Sequence, residues 1–125
     1  MLLSLDPLPG AFAICRLEPD ASLPAWAAGG PLWSVTRTAT DLSVVCGLAN
    51  VPADVRGDGP WRALMVRGPL DLTLTGVLAS LAAPLASAGI GLFAVSTYDT
   101  DYLLVREADL DRAVRTLQQA GHRIG

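Results

Sequence analysis

Apolar positions recur at helical spacing over two stretches of the chain. Across residues 73–88, Leu74, Val77, Leu78, Leu81 and Leu85 fall three or four apart, and Gly89 follows as a stop signal. Across residues 109–120, Leu110, Ala113, Val114 and Leu117 form an inward stripe. Asp109 and Asp111 sit in its first turn, Arg112 and Arg115 follow, and Gly121 closes it. Pro84 lies inside the first stretch and removes the donor to the Ser80 carbonyl, so a kink is expected there. The apolar stripe continues through it, which argues against a break. Short apolar runs lie before the first helix, at 61–67, and between the two helices, at 90–97 and 102–106. The first ends at Gly68-Pro69, and the turn Tyr98-Asp99-Thr100-Asp101 separates the other two. A last short strand is expected from His122. The resulting order, β-α-β-β-α-β, is the ferredoxin-like arrangement of an α+β fold.

The first half is poorer in helix signals. Residues 11–17, 32–36 and 42–48 read as strands. Residues 18–31 hold too many Pro and Gly for more than one helical turn, placed at 25–28. Residues 51–60, with Arg56-Gly57-Asp58-Gly59-Pro60, read as a linker, dividing the chain into halves at 1–56 and 57–125. A shift of 60 aligns Trp33-Ser34-Val35-Thr36-Arg37-Thr38-Ala39-Thr40-Asp41 with Phe93-Ala94-Val95-Ser96-Thr97-Tyr98-Asp99-Thr100-Asp101. Either two hairpins share turn chemistry, or one unit was duplicated and its first copy lost most of its helices.

Composition narrows the class. Hydrophobic residues make up 51% and charged residues 17% of the 125 positions, which supports a folded core and excludes disorder. The apolar excess also points to self-association, with a homodimer as the simplest form. All nine cations are arginine, against twelve acids, for a net charge of −3. That balance argues against tracking a nucleic-acid backbone. Residues 1–10 lack a basic start and contain Pro7 and Pro9, so they do not read as a signal peptide. No run approaches the roughly 20 apolar residues needed to span a bilayer. A cytoplasmic location is expected. Cys15 and Cys46 lie in apolar runs and read as reduced core thiols. Trp26, Trp33 and Trp61 either fill the core or a dimer contact, or anchor a partner.

Catalysis finds no foothold. The lone His122 lies close to a helix end and to the C-terminus, and reads as a surface or edge-strand residue. No His/Cys cluster has metal-ligand spacing, and no serine sits in a nucleophile elbow. Nothing asks for a cofactor. One convergence remains. The crossover topology brings the loop 68–76 and the turn 97–101 to the same sheet edge. The loop delivers a helix N-terminus, which favours a carboxylate, and Gly76 permits close approach. Thr97, Asp99 and Asp101 supply acceptors for an ammonium or guanidinium. Such a pair suits a zwitterion. The same residues equally serve structure, with Asp71 or Thr73 capping the helix and Asp101 pinning the turn.

The run from Gly68 to Ala82, followed by Ala88-Gly89-Ile90 and Ser96-Thr97-Tyr98-Asp99-Thr100-Asp101-Tyr102, resembles an ACT domain. It is similar above all to the type found in the CASTOR arginine sensors and in the regulatory part of aspartate kinases. Leu8-Pro9-Gly10-Ala11-Phe12-Ala13-Ile14-Cys15-Arg16-Leu17 and Ser34-Val35-Thr36-Arg37-Thr38 resemble the small stand-alone bacterial members of that group. The resemblance implies a complete C-terminal ACT domain beside a degenerate ACT-like half. It also implies regulation without catalysis, and a free amino acid bound where units or protomers meet. By position, the contacts would come from Asp71, Gly76, Val77, Thr97, Tyr98 and Asp101. One departure stands out: the animal arginine sensors carry an acid two residues before the glycine, and here that residue is Leu74. Arginine loses a partner, and small or aliphatic amino acids stay open. The rival expectation is an ACT fold that serves protein–protein interaction and binds no small molecule.

Overall fold

The computed structural model describes residues 1–125 and carries eight strands and two helices. In chain order these are β1 (Ser4–Pro7), β2 (Phe12–Leu17), β3 (Ser34–Arg37), β4 (Leu42–Gly47), β5 (Gly57–Val66), α1 (Val77–Ser87), β6 (Phe93–Ser96), β7 (Asp101–Arg106), α2 (Leu110–Gln119) and β8 (Arg123–Ile124). The chain divides into two compact units, Pro9–Trp61 on one side and Met1–Leu8 with Arg62–Gly125 on the other. The architecture is mixed α+β, ferredoxin-like in the unit that carries both helices.

In the unit Pro9–Trp61, β3, β4, β2 and the first half of β5 pair antiparallel in that order. Pairing of Cys15 with Val44 and of Ala13 with Cys46 puts both thiols on one face of the sheet. They are fully buried and unbridged, as expected of core thiols. A single 3-10 turn, Ala25–Ala27, sits near the expected helical turn and lays Ala27 and Trp26 over that face. The linker expectation needs correcting, because residues 57–60 are strand. Glycine is the reason. A Cβ on Gly59 would stand 2.8 Å from the Phe12 carbonyl oxygen, and one on Gly57 3.2 Å from the Cys15 sulfur. The glycines that read as a flexible joint are what lets β5 lie against β2.

In the other unit the strands run β8, β1, β5, β7, β6. β1 was not foreseen, since two prolines mask a four-residue strand. It pairs antiparallel with β5, Leu5 opposite Val66. β8 pairs parallel with β1. The core is built from alternate residues of the sheet, Leu5, Leu64 and Val66 among them, with Leu81 and Leu85 of α1 and Ala113 and Leu117 of α2. These leucines are the ones whose spacing marked the helices. α1 nevertheless starts at Val77, four residues later than expected, because Gly76 has φ = +83° and cannot continue a helix backwards.

Pro84 does not break α1, which runs unbroken to Ser87. The carbonyl it deprives of a donor, that of Ser80, lies 2.9 Å from Nε2 of His122. Nδ1 of the same ring accepts the Leu3 amide at 3.1 Å. His122 is 5% exposed and not a surface residue: it is a buried polar clip at the end of α2. No helix is long and apolar enough to cross a membrane.

The two hairpins carry the same turn. The Thr38 amide donates to the Asp41 carbonyl, and the Asp41 amide to Thr38 Oγ1; the Thr97 amide and Thr100 repeat both bonds. Structural equivalence therefore runs at a shift of 59 (Thr38 with Thr97), one residue from the best match of letters.

Candidate functional site

Two hydrogen bonds tie the turn before β7 to the end of β5 and to the loop that follows it. The Leu70 amide donates to the Asp99 carbonyl at 2.7 Å, and Thr100 Oγ1 donates to the Val66 carbonyl at 2.6 Å. Thr100 is buried, whereas most of its turn is exposed. Gly68 makes the approach possible, because a Cβ there would stand 3.0 Å from the Asp99 oxygen. Loop and turn thus form two walls of one cavity of about 370 Å³.

Each wall is braced from within. In the loop, Asp71 Oδ1 accepts the Thr73 amide at 2.9 Å and the Thr73 hydroxyl at 2.8 Å. These donors hold its carboxyl below the usual carboxylate range. Asp71 therefore closes a turn of the loop, and neither it nor Thr73 caps the helix. In the turn, Ser96 Oγ donates to Asp101 Oδ1 at 2.6 Å, which fixes the carboxylate. α1 begins at the cavity with Gly76 in the left-handed region and no side-chain cap. Its first helical bond runs from the Ser80 amide to the Gly76 carbonyl, so the amides of residues 77–79 have no acceptor within the helix.

All six residues named from the sequence, Asp71, Gly76, Val77, Thr97, Tyr98 and Asp101, line this cavity. Val77 is buried and Tyr98 is 79% exposed. Sequence reasoning missed Leu70 and Thr100, the two residues that clip the walls together. Their role depends on a backbone amide and on a buried hydroxyl, and neither leaves a mark in the letters. It also missed Leu72 and Leu78, which line the cavity, Leu72 mostly and Leu78 about a third open to solvent.

The fold defines the class: an α+β domain of the ACT type. The chain belongs to the ACT domain family, whose model matches residues 57–119. A second family model, of an N-terminal domain, matches residues 10–54. Human protein CASTOR3P is 31% identical over 98 residues, which cover 68% of this chain and 60% of that protein. The human cytosolic arginine sensor for mTORC1, subunit 1, is 35% identical over 60 residues, or 47% of this chain and 18% of the sensor. The chain thus spans 60% or less of the length of these relatives. Among solved structures, a protein of Agobacterium tumefaciens superimposes with a TM-score of 0.95 at 42% identity, covering 100% of this chain and 93% of that one. The regulatory subunit of aspartate kinase from Thermus flavus shares the fold, with a TM-score of 0.61 at 14% identity over 96% and 97% of the two chains.

Proposed function

We propose that this protein is a non-catalytic regulatory ACT-domain protein, cytoplasmic and homodimeric, that binds a free amino acid in the loop–turn cavity. The observation that carries the reading is the 2.7 Å bond between the Leu70 amide and the Asp99 carbonyl, which brings the two walls into one site. The uncapped start of α1 offers amides to an α-carboxylate. Asp101, anchored by Ser96, offers a carboxylate oxygen to an α-ammonium. Asp71, Gly76, Val77, Thr97 and Tyr98 complete the contacts. The names of the relatives, an arginine sensor and a kinase regulatory subunit, agree with an amino-acid effector and with regulation. A ligand regulates only through different affinities for two states, and rearrangement of a homodimer supplies the second state. In this reading residues 57–125 form the ligand-binding ACT domain, and the first half, residues 1–56, is its degenerate companion.

A second reading, an interaction module on the same fold, is favoured by the exposure of Trp33 (48%) and Tyr98. Calorimetry with the twenty amino acids separates the two. A saturable heat with one of them, lost in Asp101→Ala with an unchanged circular dichroism spectrum, is the expected result. Silence across the panel from a folded sample overturns the proposal in favour of the module.

A further inference from the structure

The cavity's lining has a pronounced bias. Three carboxylates, Asp71, Asp99 and Asp101, face it, and no arginine or histidine does. The same lining holds large apolar side chains in the open: Leu72 is 65% exposed, Leu74 45% and Leu78 36%. Exposed leucines gathered on one small concavity, with an acidic edge, are the usual makings of a ligand pocket.

Resting on the binding reading above, we propose that the ligand is an aliphatic amino acid of the size of valine, leucine, isoleucine or methionine, held by its ammonium at the aspartates and by its side chain against Leu72, Leu74 and Leu78. Charge and apolar surface together rank the alternatives. An acidic side chain would meet three carboxylates and no cation. A guanidinium seeks a carboxylate that presents both oxygens. Asp71 and Asp101 each have Oδ1 engaged, by Thr73 and by Ser96. That leaves Asp99 as the carboxylate open to a guanidinium and makes arginine the chief competitor in the test. A long cationic side chain directed at the leucines would lose its hydration there without gaining a partner. Alanine and glycine would leave the leucines in water. An aliphatic group of four or so heavy atoms removes that apolar surface and asks for no hydrogen bond.

The test is competitive calorimetry with leucine, valine, methionine, arginine, glutamate and alanine, run on the full chain and on Leu74→Glu. Position 74 is half exposed in a loop, so the variant should fold, and circular dichroism checks that it does. Expected are affinities for the aliphatic ligands at least tenfold above those for the other three. Leu74→Glu should weaken leucine about tenfold and strengthen arginine. Tighter binding of arginine, glutamate or alanine by the unaltered chain overturns this inference and leaves the amino-acid-binding proposal standing. An unchanged preference in Leu74→Glu also overturns it. No binding of any amino acid overturns both.

Discussion

His122 Nε2 and the Ser80 carbonyl meet at 2.9 Å, and the bond supplies the donor that Pro84 withholds four residues along the same helix. Because Nδ1 accepts the Leu3 amide, the neutral ring carries its proton on Nε2 and donates it to Ser80. One side chain thus closes a gap in α1 and ties the N-terminal strand to the end of α2.

His122→Ala should therefore cost about 1–3 kcal/mol, the usual loss when buried groups are left without partners. The diagnostic experiment is a double-mutant cycle with Pro84→Ala, followed by urea denaturation. Alanine at 84 restores a helical amide to the Ser80 carbonyl, so His122→Ala should cost clearly less in that background. Equal costs in both backgrounds would show that the two residues do not share this carbonyl.

Gly76 and Gly91 offer a matched comparison. A Cβ meets nothing within 4 Å at either site, but only Gly76 has positive φ, at +83°. Gly76→Ala should lose about 1–2 kcal/mol of stability from backbone conformation alone. Gly91→Ala should leave stability unchanged or raise it by up to about 1 kcal/mol. Thermal melts of the two variants decide the point.

Acid stability depends on an ion pair at the edge of β1. Arg67 bonds Asp6 through Nε at 2.8 Å and Nη2 at 2.7 Å, and holds that carboxyl below its ordinary range. A depressed value means that the folded state favours the ionised form. The contribution is present above about pH 3.9 and fades as pH falls through the lowered value. Denaturation midpoints measured from pH 5 to pH 2.5 should fall more steeply for the unaltered protein than for Arg67→Gln. Parallel curves would refute the assignment.

At the alkaline end the sign reverses. Burial, and then the neighbouring Cys15, push the Cys46 thiol up to about 11. The unfolded chain releases that proton first, so stability should decline between about pH 9 and about pH 11. Cys46→Ala, though less stable overall, should show a shallower decline. Ellman's reagent should find neither thiol in the folded protein at pH 8.

How far the letters led is clearest at particular residues. Leu81, Leu85, Ala113 and Leu117 announced both helices because an apolar stripe at period 3.6 is also the core they build. The loop and turn were legible for a topological reason: strand order alone brings their ends together. Gly57, Gly59 and His122 misled. Glycine in a linker and glycine under a close-packed strand look alike until the partner strand is known. The role of His122 depends on Pro84, thirty-eight positions earlier, and on Leu3 at the other end of the chain. Most strand ends differ from expectation by a residue or two, where hydrogen bonding and not hydrophobicity sets the boundary.

The twin turns at Thr38 and Thr97 also set a count. At the shift of 59, Thr40 corresponds to Asp99, and the carbonyl of each is taken by the chain itself. In the second turn the donor is the Leu70 amide, which leaves an open cavity beside it. In the first it is the guanidinium of Arg16, at 2.9 Å, while Arg37 reaches the carbonyls of Pro19 and Ala21. Arginine side chains bond the first turn and the loop near it, whereas the second turn borders the cavity. A duplicated ancestry would lead one to expect two equivalents of effector, yet saturation should come at one per polypeptide, and a dimer should carry two.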